Sequence, residues 1–324
     1  SILSETLRLL KETTGLDLDL AAIPMDDKKT YDMLSRGEST AVFQLESSGM
    51  RSLLRELKPD RFAHLAPLLA LYRPGPMDEM PRFVAGRHGQ PVQYAHPDLE
   101  EILSETFGVL LYQEQVMQAA MKMADFSMPQ AEILMRAMSK KQEGKMEQMR
   151  DVFIENCVAK GTRREVADQV FARMNKFAGY GFNKAHSAAY AILSYQTAYL
   201  KANYPTQYMA AFMTSFMDRA DRIALCIEDC RKLGVEVLPP AVNESQVNFS
   251  VSGKDIRFAL AAIKGVGAGA LQEIVDARAE GGPFRDLFDF AERVPQRALG
   301  KSAIETLLRC GAFDSIHPNR AQAL

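Results

Sequence analysis

Apolar positions recur at helical spacing along most of the chain. Ile2, Leu3, Leu7, Leu9 and Leu10 predict a helix from Ile2 to Lys11, closed by the turn-rich run TTGLDLDL. From Tyr31 to Leu233 the same period continues in a background of Met, Ala, Leu, Glu and Lys, all good helix formers. Two stretches interrupt it: Pro74-Gly75-Pro76, and a Gly/Pro/His-rich section from Gly86 to Pro97. Near Leu238-Pro239-Pro240 the pattern changes. VNFSVSGKDIRFAL alternates on both sides of Ser252-Gly253-Lys254-Asp255, as a β-hairpin does. AIKGVGAGALQEIVDAR then predicts a glycine turn entering a helix, and LFDFAERV and SAIETLLRC predict two more, the last ending before Gly311. The only repeat-like relation in the chain is between these last helical pairs. The expected fold is mostly α: a large helical domain, a small β-hairpin, then a helix-hairpin-helix unit.

Composition supports a real core and little else. The chain has 324 residues, 47% of them hydrophobic, and a formal net charge of -2. Bulk charge therefore carries no nucleic-acid signature, and any anion site has to be a local patch. Cys157, Cys226, Cys230 and Cys310 form no CxxC pair and read as reduced thiols in the core. No apolar run approaches the roughly 18 residues of a membrane span, and no leader pattern opens the chain, so a cytoplasmic location is expected. It starts at Ser1 rather than Met and stops in HPNRAQAL, inside a helical pattern without a stop signal. Both ends read as cut.

Candidate chemistry begins with residues 169–217. These 49 residues hold no Asp or Glu but include Arg173, Lys176, Lys184 and Lys201, together with 11 of the chain's 27 aromatic residues. Cations interleaved with stacking rings suit a nucleotide or single-strand site; a buried helix hairpin, with Tyr195 and Tyr199 in the core, explains the same pattern. Within it, KFAGYGFNKAHSAAYA is a glycine-bearing turn leading into a helix near His186 or Ser187. Its free amides, with Lys184 and His186, could hold a phosphate, and Tyr180 and Asn183 could face a sugar or base. In LMRAMSKKQEGK, Arg136 and Lys140 are four apart on one helix face, adjoined by Lys141 and Lys145. That clustering suits a triphosphate, although Glu143 and Glu147 offer ordinary surface pairs.

Lys264, Gly265 and Gly267 form a third candidate. Glycines there let the backbone turn sharply and come close to a phosphate at a helix start; a plain connecting turn is the alternative. Paired carboxylates fit for a two-metal site do not emerge. Asp17, Asp19, Asp26 and Asp27 lie in turn-rich sequence without a strand pattern, and Glu114 reads as part of a packing or ion-pair arrangement.

Six segments in order carry a resemblance: TAVFQLESSGM (40–50), LYRPGPMDEM (71–80), FGVLLYQEQVM (107–117), LMRAMSKK (134–141), FAGYGFNKAHSAAYA (177–191) and AIKGVG (262–267). Together the sequence resembles the C-family replicative DNA polymerases, the family of the bacterial DNA polymerase III alpha subunit. The resemblance implies a palm-exit segment over 1–30, a fingers domain over 31–245 and a truncated tandem helix-hairpin-helix module over 246–324. It places the three palm aspartates, and hence Mg²⁺ binding in the intact enzyme, upstream of residue 1. Arg136, Lys140 and Lys141 would then meet the triphosphate of an incoming dNTP, while Tyr180, Asn183, Lys184 and His186 line its pocket, His186 by excluding ribose. Lys264, Gly265 and Gly267 would touch the template-primer backbone.

Implied partners are template-primer DNA, dNTP, a sliding clamp and other replisome subunits, and no membrane. Many family members carry arginine, glycine and lysine where this chain has Met135, Ser139 and Gln142, so its cluster is less basic. Two other functions stay open at this point: a non-enzymatic helix-hairpin-helix DNA-binding module, and an error-prone paralogue of the same polymerases.

Overall fold

A computed structural model of the chain describes residues 1–140, 142–178, 181–295 and 299–323. In chain order the α-helices are α1 (Ile2–Thr14), α2 (Lys28–Ser35), α3 (Ser48–Leu57), α4 (Leu65–Leu71), α5 (Met80–Arg87), α6 (Asp98–Leu103), α7 (Gln113–Ala124), α8 (Met128–Ser139), α9 (Glu143–Ala159), α10 (Arg164–Ala178), α11 (Lys184–Asn203), α12 (Pro205–Ser215) and α13 (Ala220–Lys232). Three short strands follow, β1 (Val237–Leu238), β2 (Ser250–Ser252) and β3 (Asp255–Arg257), and then α14 (Ala268–Gly281), α15 (Leu287–Arg293), α16 (Lys301–Arg309) and α17 (Arg320–Ala323). The mostly α reading is correct, and the hairpin falls where the alternation placed it. β2 and β3 are antiparallel with Val251 opposite Ile256, and β1 adds in parallel on the other side of β3.

The chain divides into two compact units. One comprises residues 24–39 and 43–195, the other residues 1–23, 40–42 and 196–324, and the division falls inside α11. In the first unit, α6 to α10 surround a core built on Phe126, Phe153 and Phe171. The Phe153 ring sits 6.2 Å from Phe126, edge-on, and 5.5 Å from Phe171, the offset geometries that aromatic quadrupoles favour. α8 shows how local sequence sets an element that later matters. Ser127 and Gln130 form a capping box, a proline lies in its first turn, and Ala131, Leu134, Met135 and Met138 make one buried stripe. Arg136, off that stripe, is left in solvent.

In the second unit, α1, α12, α13 and the sheet enclose Met209, Phe212, Cys226, Cys230 and Phe249. The cysteines are buried in that core, and burial pushes the Cys230 thiol up to about 12, so it is an inert packing group. A separate core under α14, α15 and α16 holds Leu271, Ile274, Leu307 and the edge-on rings of Phe284, Phe290 and Phe313. Among the described residues no helix is long and apolar enough to cross a membrane.

Candidate nucleotide and nucleic-acid sites

The start of α11 is built by three contacts. Asn183 is its N-cap, a position that favours Asn because the side chain can satisfy a free amide, and Oδ1 accepts from the His186 amide at 2.9 Å. The preceding Phe182 is pinned to the start of α7: the Gln113 amide donates to its carbonyl at 2.9 Å, and Gln113 Nε2 donates to Gly181 O at 3.1 Å. A side chain on Gly181 would press against Gln113 Cγ at 3.0 Å and Phe177 at 3.3 Å, and would stand 3.7 Å from Met135 on α8. The α8 C-terminal turn and the α11 N-terminus are therefore neighbours within one unit.

Glu114 occupies the place the sequence offered to a phosphate. Its two carboxylate oxygens accept from the Lys184 amide at 3.1 Å, and one also accepts from Asn183 Nδ2 at 3.1 Å. A carboxylate here stabilises α11 through the helix dipole. Lys184 is committed too, with Nζ 2.7 Å from Glu105 and 5.8 Å from the Tyr112 ring centre. Burial pushes the Tyr112 phenol well above its ordinary range, reinforced by the Glu105 charge and opposed by a hydrogen bond with Ser187. His186 lies edge-on to Phe182 at 5.3 Å and 4.5 Å from Tyr190, exposed at the mouth of the turn. Tyr180 lies outside the described residues.

On α8, Arg136 and Lys140 are both exposed, and neither has an ion-pair partner among the described residues. Neither forms a pair with Glu143 or Glu147, the surface pairs that the sequence offered as the alternative. Lys140 closes the helix, its amide donating to Arg136 O at 3.0 Å, so its cation stands where the dipole also favours positive charge. Lys141 lies outside the described residues. Arg73, from the RPGP turn, is a residue that local reading passed over. Its guanidinium lies 4.0 Å over the Phe182 ring while donating to Ala70 O, and burial pushes its pKa down.

The acid-free window proves less basic than its residue count. Lys184 meets Glu105, and Lys201, wholly buried, meets Asp229; both carboxylates lie outside the window. Tyr195 is fully buried and donates to Pro24 O at 2.6 Å, the core role that its spacing with Tyr199 allowed.

At the glycine turn, Gly265 has φ 94°, a left-handed value that strains any residue with a Cβ. Gly267, the N-cap of α14, is different. Its φ of −72° and ψ of 144° suit any residue, and a Cβ there would meet nothing within 4 Å. Neither backbone nor packing asks for glycine at 267, and its bareness leaves the first amides of α14 open to close approach. Lys264 beside it is exposed. Gly300 caps α16 with nearly the same dihedrals, −69° and 161°, and Gly300-Lys301-Ser302-Ala303-Ile304 repeats the register of Gly267-Ala268-Gly269-Ala270-Leu271.

Comparison with known proteins matches residues 1–161 to the bacterial DNA polymerase III alpha subunit finger domain and residues 234–323 to a helix-hairpin-helix motif. The chain is similar to the DNA polymerase III subunit alpha of Neisseria meningitidis, 48% identical over 316 residues that make up 97% of this chain and 28% of that protein. The Caulobacter vibrioides subunit is 46% identical over 323 residues, 99% of this chain and 28% of the relative, and that of Escherichia coli K12 is 45% identical over 313 residues, 94% and 27%. The chain belongs to the DNA polymerase III alpha subunit family. It spans little more than a quarter of the length of these relatives.

Within the family frame, Arg136 and Lys140 fall in the finger-domain match, and Lys264, Gly265 and Gly267 in the helix-hairpin-helix match. Asn183, Lys184 and His186 lie between the two matched spans, held to the finger-domain part through Gln113 and Glu114. Met135, the neighbour of Arg136 on α8, stands beside Gly181 in the turn that leads into α11.

Proposed function

We propose that this chain serves a DNA-directed DNA polymerase by positioning the incoming dNTP and gripping template-primer DNA. The observation that carries the reading is the pair of exposed cations on α8, Arg136 and Lys140, without carboxylate partners among the described residues, on the helix whose Met135 stands beside Gly181 before Asn183 and His186. Unpaired guanidinium and ammonium groups attract a triphosphate and form charge-assisted hydrogen bonds with it. Lys141 and Tyr180 belong to the same proposal by their position in the motifs. His186, flanked by Phe182 and Tyr190, is the group we assign to the sugar, where a fixed ring can exclude a 2′-hydroxyl by bulk. Lys264 and the amides opened by Gly265 and Gly267 are assigned to the DNA backbone, a contact indifferent to sequence.

In the intact enzyme Mg²⁺ would neutralise the triphosphate and organise nucleotidyl transfer. Among the described residues no group of three or more His, Cys, Asp or Glu side chains is placed to hold a metal ion, so no step through the metal is assigned to these residues. The same reading, which assigns the catalytic aspartates to the palm of the intact enzyme, expects the chain alone not to extend a primer. A sliding clamp and other replisome subunits are the partners this reading implies for the intact protein, and the cytoplasm is its expected location.

The test is dNTP binding to the chain, followed calorimetrically, with and without Arg136→Ala. Affinity should fall on the order of tenfold in the variant. Unchanged affinity would leave only the helix-hairpin-helix grip and favour a purely DNA-binding role.

A further inference from the structure

The segment from Gly86 to Pro97, to which the sequence motifs assign nothing, walls a cleft of about 600 Å³ closed by α5, Phe107 and α10. Its polar lining is unusual in charge. Arg82 enters from α5 and Arg173 from α10, and neither has an ion-pair partner among the described residues. Arg82 donates a single hydrogen bond, to Gln93 O at 3.1 Å, and Arg173 has none. Arg173 is half-buried, and burial pushes its pKa down, with the Arg82 charge adding to the effect and Glu79 opposing it. Two guanidinium groups brought close enough to repel, one of them partly stripped of water, are a cost that an anion between them would remove.

The wall where Gly86 meets Phe107 is closely packed. A side chain on Gly86 would collide with Phe107 Cβ, and Phe107 itself is held at φ 51°, in the left-handed region, with its ring edge-on to Phe83 at 5.2 Å. Gln90, Gln93 and Tyr94 add neutral polar groups around the opening.

We propose that this cleft is a phosphate-binding site, separate from the Arg136 cluster, that takes the phosphate of a nucleotide or of a nucleic-acid strand. Guanidinium forks match phosphate oxygens in pairs, and the volume is within the range, roughly 300–1,000 Å³, of sites that hold small molecules rather than bare ions. Phosphate rather than carboxylate as the anion rests on the proposed handling of nucleotides and DNA by this chain; the existence of an anion site does not.

The intact chain is titrated with inorganic pyrophosphate and, separately, with a fluorescent oligothymidylate, in wild type and in the variants Arg82→Gln, Arg173→Gln, Arg173→Lys and Arg136→Gln. Either Arg82→Gln or Arg173→Gln should weaken at least one probe on the order of tenfold, with partial retention in Arg173→Lys. Loss for pyrophosphate alone identifies a free-phosphate site, and loss for the oligonucleotide alone a strand site. Arg136→Gln reports on the α8 cluster by itself, so an effect there with none at Arg82 or Arg173 upholds the proposed function and overturns the cleft. In the wild-type chain, pyrophosphate or the oligonucleotide should also shield Arg82 and Arg173 from phenylglyoxal, a readout that needs no variant to fold. No binding of either probe, or binding with neither shielding nor sensitivity at these two arginines, overturns the proposal.

Discussion

Lys201 Nζ and Asp229 Oδ2 lie 2.7 Å apart in the core beneath α12 and α13, with the lysine wholly removed from solvent. The ammonium also donates to Thr40 O at 2.8 Å, while its approach to Asp229 Oδ2 is off the line of a good hydrogen bond, so their contact is chiefly ionic. Removing one member strands a charge in a low-dielectric core, which typically costs about 3–5 kcal/mol, whereas replacing both with apolar groups of similar size is often near neutral. Asp229→Leu should therefore destabilise the chain far more than the double change Lys201→Met with Asp229→Leu. Urea unfolding of the two proteins checks it; a double variant as unstable as the single one would show that the pair itself holds the unit together.

Gly265 and Gly267 should part company on substitution. Gly265→Ala forces a Cβ into a left-handed conformation and should cost about 1–2 kcal/mol of stability. Gly267→Asp places a preferred capping residue at the start of α14 and should hold or raise stability, while its carboxylate takes the amides a DNA phosphate would use. Anisotropy of labelled primer-template DNA at several salt concentrations should then show weaker binding and a shallower salt dependence. Intact DNA binding in a stable Gly267→Asp protein would remove the glycine turn from the proposed grip.

Buried His64 gives a pH prediction. Burial holds its pKa down at about 4, with the Arg87 charge acting in the same direction, Asp60 against it and Arg61 adding slightly. The folded state thus disfavours the protonated ring, and the unfolded chain binds the proton first, near 6.5. His64 is then no burden at pH 7, but stability should decline as pH falls from about 6.5 to 4 and level off below that, by on the order of 2–3 kcal/mol from this residue. Measured against His64→Asn, which cannot titrate, the wild-type advantage should shrink across that window. A constant difference between the two proteins from pH 7 to 4 would refute it.

How much of this was legible in the sequence depended on range. The α8 cations were legible because Arg136 and Lys140 lie one turn apart, and the glycine turn because Gly265 and Gly267 act on their own backbone. The Glu114 hold on the Lys184 amide spans 70 positions, and no periodicity reports it. The same blindness made the acid-free window look like four available cations, when Glu105 and Asp229 reach in from elsewhere to take two of them. Arg82 and Arg173 illustrate the reverse: Arg173 stands out only as one cation of the acid-free window and Arg82 looks ordinary in its own helix, and only the fold sets them around one cleft. Charge counted along the chain is a poor guide to potential in space, because Coulomb's law acts on distance and not on sequence separation.

Glu114 sits between two demands that substitution can separate. Its carboxylate caps α11, a favourable charge at the helix start, yet it also lowers the positive potential beside Arg136 and Lys140, where a triphosphate is proposed to bind. Glu114→Gln keeps an acceptor for the Lys184 amide and removes the charge. Stability should fall by about 0.3–1 kcal/mol through the lost dipole interaction, and dNTP affinity should rise several-fold, more at low salt than at high. If calorimetry instead finds that affinity falls with stability little changed, the carboxylate acts by fixing Asn183 and His186 in register for the nucleotide, and repulsion is the smaller effect.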